Sequence, residues 1–273
     1  MAIDYIIEYD CAPKRALTAD GIRERLKERA RADEVIQWFR AAGDMREPSQ
    51  MGFEFSHSRP GDPGDKQLIV VQDLIDHASA LDDHAEVCAD CPANLSAQPF
   101  GCMGFVQYPI TARAETWLLE RLPVPDEPLI WLLLRQGIQK LGYDGASIQE
   151  LRAAEGGLEG VERRYFELPI APERRLGELR VSGDQALEMI FGVGDRIIPN
   201  HAGILLLFAG AIERDLEARE IQDISSHDGT IRNRVAFEMT AEAGADECVR
   251  EMVAFFRALH LAWKLNVSLY VDA

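Results

Sequence analysis

The cysteines are the residues of this sequence whose type and spacing could do chemistry. Three of the five lie in one short stretch, Cys88-Ala-Asp-Cys91-Pro-Ala-Asn-Leu-Ser-Ala-Gln-Pro-Phe-Gly-Cys102. The C-x2-C spacing of Cys88 and Cys91 lets two thiolates of one tight turn face a single metal ion. Proline and glycine residues on both arms predict a turn-rich knuckle rather than a helix or a strand. The stretch therefore predicts a metal site.

A four-coordinate metal site needs one ligand beyond Cys88, Cys91 and Cys102. Cys11 is the first candidate, because it follows a predicted strand whose end could reach a loop that is distant in the sequence. His84, four residues before Cys88, is the second candidate. Zinc suits such a set, because thiolates are soft ligands and a closed tetrahedral site is structural.

Two alternatives to zinc remain open at this point. An iron–sulfur cluster also binds cysteine thiolates, and a cysteine followed by proline, as in Cys91-Pro92, occurs in ferredoxin-type sites. The spacing matches no regular ferredoxin run, and the second C-x2-C of a zinc ribbon is missing. The third possibility is a set of thiols without metal, since free cysteines behave as small hydrophobic residues. Their position among turn residues favours a metal site.

The charge of the chain argues against nucleic acid as a partner. The 273 residues include 29 basic and 46 acidic ones, so the formal net charge is −17. No lysine or arginine lies between Lys66 and Arg113, the segment that contains the knuckle, whereas aspartate and glutamate are frequent there. A protein that binds DNA or RNA needs basic side chains to neutralise phosphates. An anionic membrane surface is disfavoured for the same reason.

The location of the protein is predicted from its first residues and its cysteines. Acidic residues stand where a secretory signal would carry basic ones, and an odd number of cysteines without such a signal is typical of reduced cytoplasmic thiols. The longest apolar run, residues 202–212, is shorter than the ~20 residues of a membrane span. We expect a cytoplasmic protein.

The function expected from these features is non-enzymatic. No catalytic motif is present, and acidic neighbours disfavour a nucleophilic cysteine at Cys102. The sequence therefore predicts a zinc-binding adaptor or assembly subunit that meets a protein partner through apolar helix faces in residues 112–141 and 201–263. The alternative is an iron–sulfur protein in electron transfer or redox sensing. Enzymatic activity stays open, because many active sites are assembled from scattered residues.

Hydrophobic periodicity and capping residues predict the elements that position the cysteines. Alternation predicts a strand at residues 3–9 and a hairpin within residues 51–72. Helix signals run from Thr18 or Asp20 to about Ala42, and from Asp246 to Asn266. Further predicted features are capping boxes at Ser147–Glu150 and Ser182–Gln185 and strands at 164–170 and 267–271.

These elements predict an α+β fold. Residues 1–110 form an α/β part that carries the knuckle, and residues 111–273 form a mainly helical part that ends in a short strand. In the alternative arrangement, the strand-like ends of the chain pair in one sheet, and the chain is then one continuous unit.

Overall fold

The computed structural model describes residues 2–56, 66–155, 172–192, 194–226 and 229–272, and the chain has the α+β fold that its sequence predicts. Within the described residues the strands are β1 (Ala2–Ile7), β2 (Gly52–Ser56), β3 (Lys66–Val70), β4 (Met103–Gln107), β5 (Glu173–Leu176), β6 (Leu179–Ser182), β7 (Arg196–Ile197) and β8 (Leu269–Asp272). The α-helices are α1 (Ala12–Leu17), α2 (Ala19–Ala41), α3 (Val71–Ala78), α4 (Ala85–Ala89), α5 (Ala112–Glu120), α6 (Pro128–Leu141), α7 (Ala146–Glu155), α8 (Gly183–Phe191), α9 (Pro199–Phe208), α10 (Ala218–Ile224) and α11 (Glu247–Leu265).

The first and last strands of the chain pair with each other. β1 and β8 are antiparallel neighbours in a four-stranded sheet of order β4-β1-β8-β7. Tyr5 stands opposite Gly104 on one side and Val271 on the other. A side chain at Gly104 would collide with the Tyr5 ring, so glycine is required there.

The chain divides into two units, one of which is discontinuous in sequence. The sheet unit comprises Met1–Tyr9 and Cys102–Ala273, and the hairpin unit comprises Asp10–Gly101. The predicted boundary after residue 110 separates β1 and β4 from β8, whereas the observed sheet joins all three strands. The pairing of these strands therefore places both ends of the chain in one unit.

The core of the sheet unit is built around α11. Phe255, Phe256 and Trp263 of this helix are completely buried, and the Phe255 ring lies edge-on to Tyr5 of β1 at 5.4 Å between centroids. Burying each such aromatic side chain contributes about 1.5–3 kcal/mol. The predicted helix is confirmed, since its N-cap is Asp246 and its last residue precedes a left-handed asparagine, Asn266.

The hairpin unit has a smaller core between α2 and α3. Buried side chains of Ala32, Met51, Val71 and Leu74 form this core. β2 and β3 pair as the predicted antiparallel hairpin. Thr18 begins α2 as predicted, because its hydroxyl accepts a hydrogen bond from the Gly21 amide at 3.0 Å.

One predicted capping box is confirmed. At Ser182, the hydroxyl accepts a hydrogen bond from the Gln185 amide, and the Gln185 side chain accepts one from the Ser182 amide. The strand predicted at residues 164–170 lies outside the described residues. None of the helices in the described ranges is both long enough and apolar enough to cross a membrane.

The capping box predicted at Ser147 is wrong. α7 begins at Ala146, so Ser147 lies inside the helix and not at its N-cap position, and the Ala146 amide donates to the Asp144 carboxylate at 2.9 Å. The Ser147 hydroxyl donates instead to Glu188, at 2.7 Å, on α8. A contact from a distant helix has thus replaced the local one.

Candidate metal centre

The Cys88–Cys91 pair lies at the end of the short helix α4. Cys88 is buried within this helix, and Cys91 is half-buried in the turn that follows. The prediction of a turn throughout the stretch is therefore wrong for Cys88. Cys88 and Cys91 still belong to the same turn, because the Cys91 amide donates a hydrogen bond to the Cys88 carbonyl at 3.3 Å.

Cys11 comes close to this pair through helix packing. It is the half-buried N-cap residue of α1, and α1 packs against α4. Electrostatic coupling of the thiols agrees with this arrangement. The pKa of Cys88 is raised, chiefly by burial; the Phe100 amide lowers it, and the Cys91 and Cys11 thiols raise it further.

The remaining candidate ligands lie on either side of the loop. His84 ends the 3-10 helix Ser79–His84 and is the N-cap residue of α4. Cys102 is buried and directly precedes β4, so it belongs to the sheet unit, whereas Cys11, Cys88 and Cys91 belong to the hairpin unit. None of the five cysteines forms a disulfide bond. Within the described part of the chain, no three His, Cys, Asp or Glu side chains are arranged to hold a metal ion.

The Asn94 side chain organises the loop that follows α4. Its amide nitrogen donates to the Cys88 carbonyl at 2.9 Å and to the Gln98 carbonyl at 2.7 Å. Its carbonyl oxygen accepts the Ser96 amide at 3.0 Å. A further backbone hydrogen bond, 3.1 Å long, joins the Leu95 amide to the Gly101 carbonyl. The loop is thus held by neutral hydrogen bonds to its own backbone.

The backbone of this loop is strained where it approaches Cys88. Ala97 and Phe100 have positive φ angles of 55° and 63°, which cost roughly 1–2 kcal/mol each in residues other than glycine. A side chain at Gly101 would collide with Asn94 and Ser96. In this conformation the Phe100 amide donates to Cys88 Sγ at 2.9 Å. A donor of this kind favours the thiolate form of the cysteine, which is the form that binds metal.

Sequence reasoning identified the cysteines but not the groups that surround them. Asn94 is recognisable in the sequence as a turn residue, but its three partners are set by the folded loop. Lys14 is a second such residue. It lies near enough to Cys88 to lower the pKa of that thiol, although burial keeps the pKa raised overall. No spacing or motif in the sequence connects Lys14 with Cys88.

A second polar cluster lies in the sheet unit and is called here the ionic cluster. Arg152 of α7 donates to Glu115 of α5 at 2.6 Å and to Asp184 of α8 at 2.8 Å. Glu188, also on α8, accepts the Gly145 amide at 2.8 Å and the Ser147 hydroxyl. The cluster therefore fastens three helices to one another with charged hydrogen bonds.

The carboxylates of the ionic cluster are almost completely buried. The exposed fractions of Glu115 and Asp184 are 2% and 5%. Burial raises the pKa of Glu115, and the hydrogen bond from Arg152 opposes this rise. Arg152 forms ion pairs with both acids, so its positive charge is balanced within the protein. These contacts indicate a structural role.

A cavity of about 610 Å³ lies in the sheet unit beside the ionic cluster. Its lining is mainly apolar, and includes Ile3, Ile148, Leu187 and Phe191. No histidine, cysteine, lysine or arginine lines it among the described residues. The cavity thus offers apolar contact but does not bring together the residues that the sequence marks as reactive.

The chain matches no known protein family, no curated protein and no solved structure. The residues and contacts described above are therefore what a proposal of function depends on.

Proposed function

We propose that the chain is a cytoplasmic metal-binding protein whose cysteines hold a structural zinc ion, and that it acts as an adaptor or assembly subunit. The ligands in this proposal are Cys11, Cys88 and Cys91, which all belong to the hairpin unit. One observation carries the proposal: α1 packs against α4, which brings Cys11 beside the Cys88–Cys91 turn from a distant part of the sequence.

One contact of Cys88 supports a metal-binding role, although burial keeps the pKa of this thiol raised overall. Zinc binds thiolates, and the Phe100 amide that donates to Cys88 Sγ favours that form of the side chain. The Asn94 side chain holds the loop through backbone atoms, and the Cys88 sulfur adds the contact with the Phe100 amide.

A zinc ion at this place would have a structural effect on the hairpin unit. Cys11 lies at the beginning of the unit, and Cys88 and Cys91 lie near its end. A metal bound by all three would tie these ends together around a small hydrophobic core. Binding requires the thiolates to come within about 2.3 Å of the ion. A unit stabilised in this way suits a subunit that presents a fixed surface to a protein partner.

The first test is the metal content of the purified protein. The protein is prepared anaerobically, and its elemental composition and visible spectrum are recorded. The proposal predicts about one equivalent of zinc and no visible absorbance, as expected for a closed structural site. A brown protein with iron and labile sulfide would instead support the iron–sulfur alternative. A metal-free protein with reactive thiols would reject both.

The second test identifies the ligands by substitution. Cys88→Ser and Cys11→Ser are expected to lower the zinc content. Cys248→Ala serves as the matched control, because Cys248 is a buried thiol of the sheet unit and should leave the zinc content unchanged. If Cys11→Ser keeps its full zinc content, Cys11 is not a ligand. Loss of zinc in a His84→Ala variant would then identify His84 as the ligand in its place.

A further inference from the structure

The cavity of the sheet unit has the size and the lining of a small-molecule site. Its volume of about 610 Å³ falls within the range of roughly 300–1,000 Å³ that is typical of ligand pockets. Strands β1 and β8 and helices α7 and α8 supply its buried lining, which includes Ile3, Ile148, Leu187 and Val271. A molecule that fits this lining has an apolar body.

The charged side chains that line the cavity are acidic throughout its described lining. They belong to Glu150, Asp195 and Asp272, which are exposed to solvent and so mark the mouth of the cavity. Two of these residues are neighbours, because the Val271 amide donates to the Asp195 carbonyl at 2.8 Å. An anionic group at the mouth would be repelled, whereas a cation would be attracted.

The carboxylate of Asp195 has only a weak partner within the described chain. Its Oδ2 atom lies 3.8 Å from Nη1 of Arg196, which is too long for a hydrogen bond. The Arg196 guanidinium donates instead to Glu8, at 2.9 Å to Oε1 and 3.1 Å to Oε2. Asp195 can therefore accept a hydrogen bond from a ligand at the mouth of the cavity.

A further carboxylate lies behind the wall of the cavity. Ser147 lines the cavity, and its hydroxyl donates to Glu188 at 2.7 Å. Glu188 is 9% exposed, and the described residues give it only neutral donors, which are this hydroxyl and the amides of Gly145 and Ser147. Arg152 is bonded to the other two acids of the ionic cluster. A buried negative charge without a cationic partner favours a cation nearby, because the protein interior screens it less than water does.

We propose that the cavity binds a small apolar molecule that carries one ammonium group. The apolar body lies against the buried lining, and the ammonium group lies at the mouth, where it pairs with Asp195 and Asp272. Aromatic rings also attract an ammonium group, and Tyr108, Phe191 and Tyr270 line the cavity. The site belongs entirely to the sheet unit, whereas the proposed zinc ligands belong to the hairpin unit, so this inference does not depend on zinc.

Three probes that share one apolar body test the charge of the ligand. Phenylbutylammonium, phenylbutanol and phenylbutanoate are titrated separately into the protein by calorimetry, at about 0.15 M salt so that general attraction to the net charge of −17 is screened. The ammonium compound should bind one per chain, the alcohol about tenfold more weakly, and the carboxylate more weakly still. No binding of the ammonium compound, or equal binding of either of the other two, would overturn the proposal.

Leu151→Trp tests whether the ammonium compound enters the cavity. Leu151 lines the cavity and is 39% exposed, so a larger side chain should fill part of the space without disturbing the fold. The dissociation constant of the ammonium compound should rise by about tenfold or more. Leu132→Trp on α6 is the matched control, because Leu132 is 45% exposed and does not line the cavity. Unchanged affinity in Leu151→Trp would mean that the compound binds elsewhere, which would overturn the proposal.

Asp195→Asn tests the carboxylate at the mouth independently. The variant should bind the ammonium compound severalfold more weakly and the alcohol as before, since only the ammonium group needs the charge. Asp126→Asn is the control, because it removes an exposed carboxylate that does not line the cavity. If Asp195→Asn and Asp126→Asn bind the ammonium compound equally well, the mouth of the cavity does not select the cation, and the proposal is wrong.

Discussion

Asn94 and Arg152 organise the two units of this protein in opposite ways. Asn94 is neutral and holds backbone atoms of its own loop in the hairpin unit. Arg152 is charged and joins acidic side chains of two other helices in the sheet unit. The first arrangement consists of neutral hydrogen bonds to backbone atoms, whereas the second pairs a charged group with acidic side chains that are buried in the protein. The loss of a buried charged contact should therefore cost more stability than the loss of a neutral one.

The comparison predicts the largest effect for the loss of Arg152. Arg152→Met leaves two buried carboxylates without their partner and should lower the free energy of unfolding by about 3–5 kcal/mol. Arg180→Met is the control. Its ion pair with Glu173 is exposed, so the change there should stay below about 1 kcal/mol. Urea unfolding measures both values.

The size of the Arg152→Met effect should also depend on pH. Glu115 already has a raised pKa because it is buried, and it becomes uncharged when the solution is acidified. The deficit of the variant should therefore shrink at low pH, where a protonated Glu115 needs no cationic partner. An effect below about 1 kcal/mol at neutral pH would show that the ionic cluster does not stabilise the sheet unit.

A second prediction concerns the buried thiol of the sheet unit, Cys248. Burial raises its pKa from 9.0 to about 11. Between these values the unfolded chain loses the thiol proton and the folded chain keeps it, so stability should fall as the pH rises. The loss amounts to about 2 kcal/mol by pH 11.

The Cys248→Ala variant isolates this effect from other groups that titrate in the same range. Its free energy of unfolding should fall less steeply between neutral pH and pH 11 than that of the wild type. Urea unfolding at a series of pH values gives the two slopes. Equal slopes would mean that the folded thiol ionises as easily as the unfolded one.

The smallest expected effect comes from the neutral loop of the hairpin unit. Asn94→Ala removes hydrogen bonds to two backbone carbonyls and should destabilise the loop by about 1–2 kcal/mol. Amide hydrogen exchange over residues 95–101 should become faster. Gln98→Ala is the control, because only the backbone of Gln98 takes part in these contacts. Unchanged exchange in Asn94→Ala would show that the loop does not depend on this side chain.

Local signals in the sequence predicted much of the fold. The hairpin of β2 and β3, the cap at Thr18 and helix α11 follow from alternation, capping residues and periodicity, all of which act over a few residues. The failure at Ser147 shows the limit. Glu188 on another helix accepts a hydrogen bond from the Ser147 hydroxyl, which was expected to cap α7. No residue near Ser147 in the sequence predicts that contact.

The sequence also pointed to candidate ligands, and their role in binding metal stays a prediction. The C-x2-C spacing identified Cys88 and Cys91, and strand prediction suggested Cys11. The amide of Phe100 and the charge of Lys14 reach Cys88 only through the folded loop and the packing of α1. The ionic cluster has no sequence signal either, because Glu115, Arg152 and Asp184 come from three separate helices.

The proposal that cysteines hold zinc is tested most directly by X-ray absorption at the zinc edge of the anaerobically purified protein. The account predicts a first shell that contains sulfur atoms at about 2.3 Å, to which Cys11, Cys88 and Cys91 contribute. The Cys88→Ser variant should lose this signal, and Cys248→Ala should keep it. A first shell made only of nitrogen or oxygen at about 2.0–2.2 Å, or a protein without zinc, would contradict the account.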